Sequence, residues 1–298
     1  TLTIGHDASR TWERRENVDD AIATGTNVAF MGAHNAYWHV RFEPSTVSGA
    51  PILTMVIYKD HEVDPYWSDG DPSNDHLISD LFRIPPVDRP EDAMIGIRYA
   101  NDPLNHDITV ADASHWAFDE TGLVNGDKLV GLLGYEIDPI ADASPANIQI
   151  LGASPVRRIA DLAGWRIAAA LIALLLVVPV VLLAGWLVRK LLGLLTGIGP
   201  GGTRFAQRVL QAAVVIVAIT FALSALNIGP FDDPIDTAHM TMYEAPSGAL
   251  VFAAGSMQWS WGLDDYNAPD LRPSVLNDGA QRITRNILDR FINSSDSP

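Results

Sequence analysis

Two long apolar runs constrain this chain more than anything else in it. Residues 165–188 and 209–228 are uncharged over nearly their whole length: Ile167 to Val188 and Val209 to Ile228 hold no ionisable side chain. About 20 apolar residues at roughly 1.5 Å rise span a hydrocarbon core. Backbone in lipid must satisfy its own hydrogen bonds, so both runs are expected to be helices. Sequence of a very different kind flanks them on both sides. The expectation is an α/β domain with a mixed sheet, interrupted by a two-helix transmembrane hairpin. Paired core helices in a large globular domain are the alternative.

Charge divides the chain along the same lines. Residues 157–231 carry seven Lys or Arg against one acid, Asp161, a net of +6. The whole chain is −16, which leaves −22 on the remainder. That division predicts an acidic α/β domain formed by 1–156 and 232–298, with the hairpin over 157–231. An acidic surface repels nucleic acid, so no nucleic-acid role is expected. The loop between the runs holds Arg189, Lys190, Arg204 and Arg208, against Arg157, Arg158 and Arg166 on the flanks. Lys and Arg favour the cytoplasmic side. The expected location is therefore integral to the membrane, with the acidic domain outside and the lipid bilayer as partner. Trp165 and Trp186 sit where interfacial indoles are common, and Pro179 is expected to kink the first run. The chain contains no cysteine, which removes disulfide and thiolate chemistry. Thr1-Leu2-Thr3-Ile4 reads as a strand entering a motif, and an upstream region or a partner subunit is expected to complete the protein.

Around the runs, strand and helix signals alternate. A helix is predicted over 11–23, stopped near Gly25. Strands are predicted at Asn27–Met31, Ala36–Phe42, Ile52–Tyr58, Met94–Tyr99, Leu129–Ile137 and Ile148–Ala153. Met240–Ala245 and Ala249–Ala254 should form a hairpin about Pro246-Ser247-Gly248. A closing helix is expected over 275–292, with Val275, Ile283, Ile287, Leu288 and Phe291 as its apolar stripe.

Candidate chemistry gathers after strands, where open α/β sheets bind ligands. Gly5-His6-Asp7 follows the first strand. His6 is a candidate acid or base and Asp7 its orienter; as a turn, the same residues would leave Asp7 or Ser9 to cap the helix. Gly32-Ala33-His34 follows the next strand, and His34 would share a rim with His6 if the two strands are parallel. Lys59, at the end of another strand, could polarise a carbonyl. Tyr37, Trp38, Trp259 and Trp261 are candidate walls of a substrate pocket, although two indoles so close in sequence also suit a loop locked onto the core. No His-Glu-x-x-His or similar metal spacing, glycine-rich phosphate loop or nucleophile elbow is present.

Four segments in order carry a resemblance. They are Gly5-His6-Asp7, then 27–43 (Asn-Val-Ala-Phe-Met-Gly-Ala-His-Asn-Ala-Tyr-Trp-His-Val-Arg-Phe-Glu), then 85–91 (Pro-Pro-Val-Asp-Arg-Pro-Glu), and 246–264, which contains Gln258-Trp259-Ser260-Trp261-Gly262. Together they resemble the C-terminal catalytic region of the large (beta) subunit of N,N-dimethylformamidase. The resemblance implies a glutamine-amidotransferase-like α/β core and hydrolysis of a small amide by a mononuclear iron held by two tyrosines and a glutamate. The tyrosines would lie upstream of Thr1. The glutamate's position is Ala8 here, and the family's asparagine after Gly-Ala is His34. His6 is retained. The resemblance thus implies a degenerate metal site, and with it a binding or structural module. The alternative is an active hydrolase of small amide C–N bonds that uses a rearranged or upstream-completed site, with iron as cofactor where the family site is kept.

Overall fold

A computed structural model describes residues 1–102, 105–156 and 236–294, with five isolated positions between 186 and 194. Nearly all of these lie in one compact unit, residues 1–157 with 234–298; the second unit, 158–233, falls almost wholly outside the described residues. The first unit is built on a five-stranded sheet. Its strands are β1 (Leu2–Ile4), β3 (Val28–Met31), β9 (Gln149–Val156), β10 (Asp236–Glu244) and β11 (Leu250–Ala253). Their order is β1-β3-β11-β10-β9. β1, β3 and β11 run parallel, whereas β10 is antiparallel to both of its neighbours. The sheet is therefore mixed.

Strand β3 shows why the sheet sits at the centre. Val28 to Met31 are all buried, and alternate residues enter different cores. Val28 and Phe30 join Ile22, Met94, Ile95, Tyr243 and Val251 on one face. Ala29 and Met31 join Met240, Phe252, Trp259, Ile283 and Ile287 on the other. Side chains alternate across a strand, so a strand covered on both faces reads as a continuous apolar run. One face carries α1 (Trp12–Ala23), whose N-cap Thr11 accepts from Arg14 N, together with the short α2 (Asp92–Ile95). The other carries α3 (Asp278–Ser294) and the β7–β8 pair, His106–Thr109 with Lys128–Leu133.

The transmembrane hairpin expected from the sequence is corrected. Among the described residues no helix is long and apolar enough to cross a membrane. The helices α1, α2 and α3 span 12, 4 and 17 residues, and α1 and α3 carry several charged residues, whereas a crossing takes about 20 apolar residues. The two apolar runs lie outside the described residues, save for isolated positions. The described residues form a mixed α/β fold, and no helix among them supports the expected membrane hairpin or the integral-membrane location that rested on it.

Smaller differences have local causes. Met94–Tyr99 is not a strand: Asp92 opens a helical turn that Gly96 ends at φ 93°. Ala36–Phe42 divides into β4 (Trp38–His39), which pairs in parallel with β2 (Ser9–Arg10), and β5 (Arg41–Glu43). Of Ile52–Tyr58 only β6 (Thr54–Val56) pairs, with β5. Strand β8 stops at Leu133, and Gly134 at φ 145° releases the next residues from it.

Candidate functional site

The parallel pairing of β1 and β3 brings two histidine loops to one edge of the sheet. After Ile4 the chain turns at Gly5, φ 74°, and presents His6. After Met31 it passes Gly32, where a Cβ would lie 2.6 Å from the Gly5 carbonyl oxygen. Only glycine allows the two loops so close. His34 and Ala36 then take left-handed backbone at φ 55° and 52°. The bend is held from below: Ala33 N–H points to Met257 Sδ at 3.4 Å, and His34 N–H is 3.0 Å from each carboxylate oxygen of Asp138.

A third segment, Gly134-Tyr135-Glu136-Ile137-Asp138, meets these loops. Ile137 is fully buried and bridges to Asn101 and Ser256. In extended chain its two neighbours point the opposite way from it, which turns Glu136 and Asp138 together toward the histidine loops. Glu136 lies between the imidazoles, with Oε1 2.9 Å from His34 Nδ1 and Oε2 3.0 Å from His6 Nε2. Burial favours the neutral Glu136 carboxyl, but His34 and then His6 outweigh it and hold its pKa below the usual carboxylate value. With Glu136 ionised, His34 Nδ1 carries the proton that bonds Oε1, which leaves Nε2 free to meet a ligand, as acceptor in the neutral ring and as donor in the imidazolium. Asp138 behaves in the opposite way. Burial pushes it up to about 8 against the bond from His34 N–H, and the charges of Glu91 and Glu136 add to the rise.

An aromatic wall backs the cluster. The His34 ring stacks on Tyr99 at 4.0 Å and meets the edge of Tyr37 at 4.4 Å. Burial raises the pKa of both tyrosines, and the Tyr99 hydroxyl donates to Asp102 at 2.7 Å. Tyr135 lies 5.7 Å from His6 and 6.4 Å from Trp261. Three buried polar atoms on the β3 loop have no partner among the described residues: His34 Nε2, and Oδ1 and Nδ2 of Asn35. In front of His6 opens a cleft of about 580 Å³, lined also by Asp7, Ala8, Ser9 and Arg14.

Other residues singled out in the sequence are placed differently. Asp7 is buried and faces Arg10 at 2.5 Å and Arg14 at 2.9 Å; the carboxylate at the His6 ring is that of Glu136. Lys59 Nζ lies over the Trp38 ring at 5.0 Å, and Trp38 meets Tyr37 edge-on at 4.8 Å. Trp259 is fully buried and donates Nε1–H to Thr284 at 3.2 Å, a core position rather than a pocket wall. Trp261 alone of the two reaches the site, through Tyr135. The sequence reading missed Glu136, Asp138, Tyr99 and Tyr135. Two acids alternating about an apolar residue after a strand were the available signal.

The donors do not suit an iron of the kind the sequence resemblance implies. Ala8 offers no ligand atom, and His34 Nδ1 and His6 Nε2 are both turned to the one carboxylate of Glu136. Among the described residues, one set of three donors lies mutually within 4.8 Å, and it is elsewhere: Asp60, His61 and Asp80. There Asp80 already accepts from His61 N, His61 Nδ1 and Leu81 N.

Compared with known families, residues 1–271 match the model described as N,N-dimethylformamidase beta subunit-like, C-terminal. No curated protein matches the chain.

Proposed function

The chain belongs to the N,N-dimethylformamidase beta subunit-like, C-terminal family, and from that membership we propose that it binds a small amide at a site whose metal centre is degenerate. One observation carries the binding role. His34 Nε2 and the Asn35 amide, on the loop that brings His34 to the cluster, are buried without a partner among the described residues. An unsatisfied buried polar group costs about 1–3 kcal/mol. An amide ligand has both a carbonyl acceptor and, when primary or secondary, an N–H donor, and can recover part of that cost. The degenerate metal site rests on Ala8, since a methyl group cannot stand in for a carboxylate ligand.

Calorimetric titration with formamide and N-methylformamide tests the proposal. The chain is expected to bind, and His6→Ala to lose most of the affinity while keeping its melting temperature, because His6 is half exposed. Asn35→Leu should also bind less, with stability unchanged or raised, since it replaces an unsatisfied amide by an apolar group of similar shape. Full retention of affinity in both variants would overturn the proposal.

A second reading, hydrolysis of the amide, has one observation in its favour. The half-exposed His6 ring is backed at 3.0 Å by the carboxylate of Glu136, itself only 12% exposed. That is the arrangement of an oriented general base. Amine release by the chain, lost in His6→Ala, would establish it in place of simple binding.

A further inference from the structure

The cleft before His6 does not end at Arg14. Ser9 and Arg14 also line a second cavity, of about 570 Å³, between the first turn of α1 and the β5–β6 hairpin. Its walls are chiefly apolar and aromatic, from Trp12, Phe42, Met55, Tyr66 and Leu77, with Glu13, Arg41 and Glu43 in the polar part of the lining. Phe42 and Met55 are register partners across the hairpin and remain 49% and 53% exposed. Large apolar side chains left open to water beside a polar site mark a surface that expects a cover.

The wall is preformed. The Arg41 guanidinium lies 4.2 Å from the Tyr66 ring centroid and is fixed to buried Asp64 at 2.6 Å. Arg14 stands between the two cavities, reaching Asp7 at 2.9 Å with its side chain 59% exposed. Its exposure lets it swing without disturbing the core. Cleft and groove together are large for a compact amide, and each alone falls within the range of about 300–1,000 Å³ typical of ligand sites.

We infer that the site takes an amide bearing an apolar chain, with the polar head beside His6 and the chain passing Arg14 into the groove of Trp12, Phe42 and Met55. This rests on the reading of the His6 cleft as an amide site. The hydroxyl of Ser9, the guanidinium of Arg14 and the His6 ring supply polar contacts at the head. The groove supplies burial for the chain.

The test is calorimetric titration of the full chain with N-alkylformamides from methyl to octyl. Burial of one methylene corresponds to about a fourfold gain in affinity, so affinity should climb steeply along the series until the groove is filled. Met55→Glu places a charge at an exposed strand position and should flatten the series while leaving N-methylformamide binding unchanged. Phe42→Lys, on the partner strand, is the second block should the first variant not fold. A flat series in the unmodified chain, with N-methylformamide still bound, would remove the groove from the site and leave the amide reading standing. No binding by any member would remove both. A climb that persists undiminished in both variants would put the chain elsewhere and overturn the assignment.

Discussion

Asp138 is the residue on which the cluster's geometry depends most. It is almost fully buried, and its carboxyl takes the N–H of His34, a non-glycine residue held at positive φ. Its folded pKa of about 8 lies above the unfolded value of about 3.9. A group with a raised pKa binds more protons folded than unfolded, so its contribution is fully present below about pH 3.9 and is lost as pH rises through about 8. Glu136, held below the usual value, works in the opposite sense: its stabilisation is present above the unfolded pKa and fails as pH falls through the folded one. Asp138→Asn keeps an acceptor for His34 N–H and removes the first dependence. The melting temperature of the unmodified chain should therefore fall more from pH 5 to pH 8 than that of the variant. Parallel curves would show that Asp138 does not titrate in this window. The sequence made His6 and His34 legible because each follows glycine at the end of a strand. Glu136 is marked only by the alternation of two acids about Ile137, because its position depends on β8 ending at Leu133 and on Ile137 bridging to Asn101 and Ser256, contacts remote in sequence.

At the scale of elements, the site exists because two parallel strands end side by side. β1 and β3 pair in register from Leu2↔Ala29 to Ile4↔Met31, and their loops then touch at Gly5 and Gly32. Gly32→Ala would drive a Cβ into a backbone oxygen that has little room to yield. A cost of about 1–3 kcal/mol is expected, as for other overpacked positions, together with loss of amide binding as the loops part. Chemical denaturation and titration of that one variant check both effects; an unchanged midpoint would mean that the loops are not in contact. The continuous apolar run of β3 made its burial on two faces readable in advance. Met94–Tyr99 was misread because its apolar content suited a strand, while Gly96 and the acid at Asp92 gave it the ends of a helical turn. β6 proved shorter than its β-branched run, since Ile52 takes φ 57° and leaves the ladder.

For the whole molecule, composition and residue order carried the family further than the site. The match covers residues 1–271, and α3, wholly beyond that range, still closes one core through Ile283 and Ile287. The membrane expectation came from hydropathy over two runs, a local property. The described helices are short or amphipathic, and among them none is long and apolar enough to cross a membrane. The proposed degenerate centre rests on Ala8, at the position where the sequence resemblance implies a carboxylate, close to a histidine pair closed on Glu136. Iron content of the purified chain, measured beside that of Ala8→Glu after both are exposed to ferrous iron and desalted, tests this directly. The unmodified chain should retain well under one iron per chain and Ala8→Glu distinctly more. Stoichiometric iron in the unmodified chain would contradict a degenerate centre and return metal-assisted hydrolysis to the front.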